Sequence, residues 1–267
     1  MYEQYYGLSE KPFSLTPDTE FYYQSFTHQE ALNVLLVAIR AGDGFLKVTG
    51  EVGTGKTLLC RKLLNALEAE FDTVYIPNPY MNCNALLDAV LVEMGIAEKL
   101  DKENYLACIN AHLIENALKK RGTIIILDEA QSLPEESMEA IRLLSNLETG
   151  KQKLVQIVLF GQPELDARLA QSSIRQLQQR IVHSYRLQPL DRASIRSYLQ
   201  HRIKSAGYRG PELFDNGAQR QLYKLSHGIP RVINVLSNKA LMLSYASGEY
   251  YVNSKHIDAA AADSQLQ

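Results

Sequence analysis

The chain has 267 residues, a length that favours two lobes sharing a cleft over three independent domains. Hydrophobic residues make up 46% of it and charged residues 22%, values that exclude a disordered or fibrous protein. The formal net charge of −2 provides no overall basic field, so only a local basic patch would support binding of nucleic acid.

The three cysteines and the N-terminus bear on the cellular compartment. Cys60, Cys83 and Cys108 have neither C-x-x-C spacing nor neighbouring histidines, which predicts no zinc site and no disulfide framework. The first residues lack the basic and apolar regions of a secretory signal, and no stretch approaches the roughly 18 to 20 apolar residues of a membrane span. We therefore expect a cytoplasmic protein that reaches a membrane only through partners.

The N-terminal segment, residues 1–27, is rich in aromatic and turn-forming residues with little regular period. This composition predicts an ordered arm. From His28 to Ile39, apolar residues recur every three or four positions, which predicts a helix that ends at Gly42.

Five short runs rich in β-branched and aromatic residues alternate with helical patterns, and they predict five β-strands. The first four runs are almost continuously apolar, as expected for parallel strands that are buried on both faces. The alternation predicts an α/β fold, a doubly wound parallel sheet flanked by helices, for a core domain of residues 28–188. The predicted strands are residues 45–49, 73–76, 123–127, 154–160 and 181–187.

Strand patterns stop after Pro189, and only helical patterns follow. We therefore predict a small all-helical lid domain over residues 189–267. The predicted helices are residues 192–206, 215–226, 230–245 and 254–262.

A complete phosphate-binding motif, G-x-x-x-x-G-K-[ST], lies between the first predicted strand and a predicted helix over residues 58–68. Its glycines let backbone N–H groups and a helix N-terminus face the phosphates of a nucleotide. Lys56 is expected to reach the β- and γ-phosphates, and the Thr57 hydroxyl to bind Mg²⁺. The motif thus predicts a site for ATP and Mg²⁺, with these residues as nucleotide ligands: Gly50, Glu51, Val52, Gly53, Thr54, Gly55, Lys56, Thr57 and Leu58.

Two carboxylates, Asp128 and Glu129, follow the predicted strand at residues 123–127. Mg²⁺ and an attacking water both require an oxygen anion beside the γ-phosphate. Asp128 is predicted to hold Mg²⁺ through its water shell, and Glu129 to orient and polarise the water. The pair therefore predicts hydrolysis of ATP, with Lys56 and Glu129 as catalytic residues.

The two motifs lie about 70 residues apart, which leaves room for one more strand and two helices between them. We expect the strand at residues 154–160 to be inserted between the strands that carry the two motifs. Gln162, just after the inserted strand, would then lie near the γ-phosphate and could sense it, unless it only forms a turn.

Over nearly its whole length the chain resembles the AAA+ ATPases of the general secretion pathway protein A type. Within that family it is most similar to the short form associated with biogenesis of the MSHA type IV pilus. The phosphate-binding motif and the sequence LDEAQ at residues 127–131 contribute to this resemblance. So do residues 5–8, 12–13, 15–18, 143–148, 160–165 and 228–231.

The resemblance implies two further phosphate ligands and an assembly of subunits. In such ATPases an arginine before the last core strand acts in the site of the neighbouring subunit, and Arg180 fits that place, with Arg175 as the alternative. Arg231, which opens a lid helix, resembles the second sensor that contacts phosphate. The resemblance thus implies an ATP-dependent homo-oligomer, either a ring or a filament.

Other implied roles are an adenine pocket and a restraint on Glu129. The arm resembles the segment that covers adenine, with Pro17, Phe21, Tyr22 and His28 as candidates; the alternative is that it only packs on the core. By analogy, Asn78 would hold Glu129 in an inactive rotamer. Residue 162 is Gln where many AAA+ proteins have Asn or Thr.

The implied function is to couple ATP turnover to assembly of a type IV pilus or secretion apparatus, with an inner-membrane assembly protein as partner. Longer relatives carry a membrane span and a peptidoglycan-binding domain, so direct binding of the cell wall is not expected here. The alternative is a DNA-directed AAA+ regulator of the transposition or replication-initiation type, which would need a basic stripe or a winged helix. A scaffold that does not hydrolyse ATP is a third possibility, and Glu129 argues against it.

Overall fold

The computed structural model describes residues 2–16, 18–96, 101–149 and 153–264. The chain divides into two compact units. The first unit comprises Met1–Thr27, Glu51–Leu58 and Gln188–Gln267, and the second comprises His28–Gly50 and Leu59–Leu187. The N-terminal arm and the C-terminal helices therefore form one unit, which also includes the phosphate-binding loop.

The helices and strands of the described residues are as follows. The helices are α1 Tyr2–Tyr6, α2 Phe26–Ala41, α3 Lys56–Leu67, α4 Cys83–Glu93, α5 Tyr105–Leu118, α6 Glu135–Leu144, α7 Glu164–Leu169, α8 Arg175–Gln178, α9 Ser194–Ser205, α10 Asn216–Ser226, α11 Pro230–Ala246 and α12 Ser254–Asp263. The strands are β1 Phe45–Gly50, β2 Phe71–Ile76, β3 Gly122–Leu127, β4 Val155–Gly161 and β5 His183–Leu187.

The five strands form one parallel sheet in the second unit, in the order β2-β3-β4-β1-β5. The predicted α/β fold is confirmed, and so is the insertion of β4 between β3 and β1. Because all strands run in one direction, β1, β3 and β4 end at the same edge of the sheet. Gly50, Leu127 and Gly161 are their last residues.

Each face of the sheet is covered by apolar residues of the helices, which explains the continuous apolar character of the central strands. On one face, Ile125 and Ile157 pack with residues of α4, α5 and α6. On the other face, Ile126 and Val158 pack with residues of α2 and α3. Successive residues of a strand point to opposite faces, so both sets of side chains are buried.

Two strands, β2 and β5, begin two residues away from their predicted starts, whereas β1 begins where predicted and β3 and β4 begin within one residue of the prediction. β2 begins at Phe71, and it includes Asp72, a residue type that is unfavourable in strands. The Asp72 carboxylate accepts a hydrogen bond from the buried Asn116 amide at 2.8 Å, which compensates for its position. β5 begins at His183, because the Ile181 N–H completes the turn after α8 by donating to Gln178 and is not available to the sheet.

In the first unit, the arm packs on the C-terminal helices. Tyr2, Tyr6 and Phe13 of the arm share an apolar core with residues of α9, α10, α11 and α12. The four predicted C-terminal helices are all present, and the ordered arm includes the short helix α1. None of the helices among the described residues is long and apolar enough to span a bilayer.

A buried arginine of α9 fixes the arm. The Arg202 guanidinium donates to the backbone carbonyls of Pro12 at 2.6 Å and Ser14 at 3.0 Å, and it lies 4.8 Å from the centre of the Phe21 ring. Burial lowers the pKa of Arg202, yet an arginine remains charged at neutral pH. Charge-assisted hydrogen bonds of this kind are stronger than neutral ones, so Arg202 is the main polar attachment of the arm.

Replacing Arg202 with Met should loosen the arm, because Met retains an apolar stem but donates no hydrogen bond. We expect the free energy of unfolding to fall by about 2 to 3 kcal/mol and proteolytic cleavage before residue 28 to become faster. Thermal denaturation and limited proteolysis with mass spectrometry measure these effects. Arg196→Met is the control, since Arg196 lies on the same helix in an exposed ion pair with Glu212. Equal behaviour of the two variants would contradict the role of Arg202.

Gly228 lies so close to the backbone of Leu190 that there is no space for a side chain. Its φ is +77°, and an added Cβ would lie 1.9 Å from the carbonyl oxygen of Leu190. We expect Gly228→Ala to lower the free energy of unfolding by about 3 kcal/mol or more. Gly248→Ala is the matched control, because Gly248 has a φ of +71° and open space around it. The free energy of unfolding of that variant should fall by about 1 kcal/mol. Urea denaturation measures both variants, and equal losses in the two would show that the contact with Leu190 is unimportant.

Candidate nucleotide site

The phosphate-binding loop turns sharply before α3 begins at Lys56. Gly53 and Gly55 have φ angles of +81° and +97°, which favour glycine. The Thr54 hydroxyl donates to the Glu51 carbonyl at 2.8 Å, and the Lys56 ammonium donates to the same carbonyl at 3.0 Å. These contacts hold the loop in a compact curve at the start of a helix.

This loop has the features of an anion site. The Lys56 side chain is buried, with a relative exposure of 5%, so a positive charge lies inside the loop. The first N–H groups of a helix have no partner within the helix, and the helix dipole favours negative charge at that end. The residues present therefore suit the phosphates of a nucleotide.

Arg231 lies against the loop within the same unit. Its backbone N–H donates to the Gly53 carbonyl at 3.2 Å, and a Cβ added to Gly53 would lie 2.4 Å from the Arg231 Cβ. Only glycine at residue 53 allows this close approach. Within the described parts of the chain, no hydrogen bond or ion pair of the Arg231 guanidinium is recorded, so it is available for a phosphate.

The acidic pair lies at the carboxyl end of β3 in the second unit. Asp128 is 2% exposed, and its N–H donates to the carbonyl of Ile76 at 3.0 Å. Its carboxylate accepts the N–H of Glu129 at 2.9 Å. Glu129 has a φ of +52°, a conformation that is unfavourable for residues other than glycine and is found in turns and at functional sites.

The oxygen donors of the two motifs suit Mg²⁺. Mg²⁺ prefers oxygen ligands and is bound by one or two protein groups together with substrate phosphates and waters. The Thr57 hydroxyl and the Asp128 carboxylate are donors of this type. Within the described residues, no cluster of three or more His, Cys, Asp or Glu could hold a metal by itself.

Two amide side chains contact the Glu129 carboxylate. Gln131 and Gln162 donate to its Oε2 atom at 2.5 and 3.0 Å. The sequence predicted that Gln162 lies near the γ-phosphate, which stays a prediction. It assigned no role to Gln131, which it included only as the last residue of the LDEAQ sequence. Asn78, predicted to restrain Glu129, instead accepts the N–H of Tyr80 at 3.3 Å. In the part of the chain that the structure describes, no hydrogen bond joins Asn78 to Glu129.

Arg175 and Arg180, the candidates for action in a neighbouring subunit, lie at and just after α8. Arg180 donates to the carbonyl of Ser145 at 3.3 Å and is partly buried. Arg175 is exposed, and its guanidinium has no recorded partner among the described residues. The choice between them stays open.

The four adenine-pocket candidates differ in their surroundings. Phe21 is buried in the arm under the Arg202 guanidinium. Burial raises the pKa of Tyr22 to about 12, so its hydroxyl is protonated at neutral pH. His28 is buried in α2, and Pro17 lies outside the described residues. Their contact with adenine stays a prediction.

Comparisons with known proteins agree with this fold. Residues 39–169 match the family described as AAA domain. The chain is 41% identical over 263 residues to General secretion pathway protein A of Aeromonas hydrophila, a match that covers 98% of this chain and 48% of the relative. The chain thus spans about half the length of that relative.

Solved structures with the same fold are more distant in sequence. Cdc6p of Pyrobaculum aerophilum has a TM-score of 0.72 at 17% identity, covering 94% of this chain and 70% of its own. The ORC2 protein of Aeropyrum pernix has a TM-score of 0.65 at 16% identity, with coverages of 95% and 71%. The RuvB branch migration motor of Thermotoga maritima has a TM-score of 0.60 at 15% identity, with coverages of 91% and 72%. At such identities the likeness shows the fold alone.

The phosphate-binding loop, the sheet order and these comparisons lead to one conclusion: the chain has the P-loop AAA+ fold, its residues 39–169 are similar to the AAA domain family, and nearly the whole chain is similar to about half of General secretion pathway protein A.

Proposed function

We propose that this protein is an ATPase that couples hydrolysis of ATP to assembly of a secretion apparatus or a type IV pilus. The observation that carries the proposal is the 41% identity to General secretion pathway protein A over 98% of the chain, together with an intact phosphate-binding motif and Glu129. A scaffold that only binds nucleotide would not require a carboxylate at residue 129.

In this proposal each residue of the site has a role in the hydrolysis of ATP. Lys56 and the N–H groups of residues 50–58 bind the phosphates, and Thr57 and Asp128 hold Mg²⁺, which neutralises charge on the phosphate oxygens. Glu129 accepts a hydrogen bond from the attacking water and polarises it. Arg231 and Gln162 bind or sense phosphate.

An arginine from a second copy would complete the site. Arg180, or alternatively Arg175, would neutralise the charge that develops on the transferred group in the neighbouring subunit. Hydrolysis would then depend on assembly into a ring or filament. This dependence suits a protein that acts only when it is placed in a larger machine.

The partner in this proposal is an inner-membrane protein of the secretion or pilus machine. We propose pilus assembly as the specific process, because the sequence motifs resemble those of the short ATPases of MSHA pilus biogenesis, called MshM. The protein would act in the cytoplasm and be recruited to the inner membrane by its partner.

A DNA-directed regulator remains the alternative. One structural neighbour is a Holliday junction branch migration motor, but an identity of 15% bears on the fold and not on the ligand. A net charge of −2 gives this alternative no electrostatic support. An ATP-dependent mobility shift with DNA at low salt would favour it over the proposed function.

Substitutions of Lys56 and Glu129 should separate binding from turnover. We expect Lys56→Ala to lose ATP binding, since the buried cation is removed. Glu129→Gln should bind ATP as the wild type does, while its turnover falls about 100-fold or more. Titration with a fluorescent ATP analogue measures binding, and phosphate release measures turnover. Glu139→Gln, in an exposed ion pair with Arg142, is the control and should match the wild type. Full turnover by Glu129→Gln would refute the catalytic role.

The same variants test the process in cells. A strain whose chromosomal copy encodes Glu129→Gln should lose surface pili or secreted protein, while the Glu139→Gln strain keeps both. Electron microscopy of pili and immunoblots of the culture medium give the measurement. In affinity capture with ATP present, the stalled variant should retain the assembly partner better than the wild type. Normal piliation and secretion in the Glu129→Gln strain would exclude the proposed process.

A further inference from the structure

Among the described residues, the carboxylate of Glu129 is held through one of its oxygens, and we propose that Gln131 is the positioning residue responsible. In this inference Gln131 anchors Oε2 and thereby directs Oε1 toward the attacking water. The inference rests on the proposed ATPase activity and assigns a new residue to it. Gln131 itself touches neither substrate nor metal in this role.

The hydrogen bonds of the carboxylate are unequal. Oε2 accepts both the Gln131 amide at 2.5 Å and the Gln162 amide at 3.0 Å. For Oε1, no hydrogen bond is recorded with any described residue. The terminal torsion of a glutamate is broad, so an unanchored carboxylate would sample many orientations. Two donors on one oxygen restrict that rotation and leave the second oxygen as the acceptor for water.

The orientation of the Gln131 amide is determined by its neighbours. Its Oε1 accepts the backbone N–H of Gln162 at 3.0 Å, and its Nε2 donates to Glu129. A backbone N–H can only donate and an ionised carboxylate can only accept, so a flipped amide would lose both bonds. The amide therefore fits in a single orientation between these two residues.

The backbone that carries Gln131 is also fixed. It lies in a 3-10 turn over Ala130–Ser132, and the Ser132 hydroxyl donates to the Glu129 carbonyl at 2.8 Å. Arg168 of α7 donates to the carbonyls of both Gln131 and Leu133. A guanidinium that binds two carbonyls of one turn restrains its shape, since the donors of arginine are arranged in a rigid plane.

Gly161 provides the space for the Gln131 side chain at the end of β4. A Cβ added to Gly161 would lie 3.3 Å from Gln131 Oε1 and 2.7 Å from the Leu165 side chain. Glycine at residue 161 thus leaves room for the Gln131 amide beside the end of β4. The sheet and the turn after β3 are in this way joined through Gln131 as well as through Gln162.

This arrangement suits the chemistry of hydrolysis. As the water oxygen bonds to the γ-phosphorus, the bond from phosphorus to the bridging oxygen breaks, and that oxygen leaves with the electron pair as part of ADP. The proton of the water passes to Oε1 of Glu129 and later to solvent. A misplaced acceptor slows such a step strongly, because a shift of about 1 Å can cost about 100-fold in rate.

The test compares Gln131→Met with the wild-type protein. Met has a similar length but cannot donate to Oε2. We expect kcat to fall between about tenfold and 100-fold, while the dissociation constant of a fluorescent ATP analogue changes less than about twofold. Gln29→Met, at a partly exposed position of α2 where the amide donates to Asn33, is the matched control and should leave both values unchanged.

A second comparison separates positioning from mere support of the turn. In a protein that already carries Glu129→Gln, adding Gln131→Met should change the residual single-turnover rate by less than about twofold, because the carboxylate it positions is absent. A Gln131 that only stabilised the turn would lower the rate by a similar factor in both backgrounds. That result would overturn the proposal.

The remaining outcomes are also decisive. If Gln131→Met does not fold, Gln131→Asn replaces it in the test. Asn keeps an amide but is too short to join both neighbours. A normal kcat of the Asn variant would overturn the inference. If the wild type hydrolyses ATP and Gln131→Met has the same kcat, the positioning role alone is overturned. A wild type that binds ATP but releases no phosphate overturns the proposed function, and the positioning role with it.

Discussion

The parallel pairing of β4 with both β1 and β3 is the constraint on which the site depends. It brings the carboxyl ends of three strands to one edge of the sheet, where the acidic pair follows β3 and Gln162 follows β4. The register of the strands determines which side chains lie at that edge, because a shift by one residue turns every side chain to the opposite face. The burial of β3 and β4 on both faces makes such a shift costly.

The arm, the C-terminal helices and the loop over Glu51–Leu58 belong to one compact unit, although they are distant in sequence. Two contacts explain this grouping. Arg202 ties the arm to α9, and the Arg231 N–H ties the start of α11 to Gly53. A buried charged side chain is costly unless its donors are satisfied, so carbonyls of the arm are a structural requirement of Arg202 and not incidental contacts.

Much of the fold was predictable from local patterns. The five strands, their order around β4 and the four C-terminal helices follow from apolar periodicity and from the distance between two motifs. The starts of β2 and β5 were not predictable from such patterns. The start of β2 depends on a hydrogen bond from Asn116, and that of β5 depends on the turn after α8. Gln131 was missed for a similar reason: its role depends on Gln162, which lies 31 residues later and is adjacent only after the sheet has formed.

The first turn of α11 is attached to the phosphate-binding loop through the Arg231 N–H. The helix has 17 residues, which gives a length of about 25 Å. The far end carries the partly exposed Tyr245, whose ring packs against Tyr5 of the arm. α11 thus connects the phosphate-binding loop at its first turn with the N-terminal arm at its last turn.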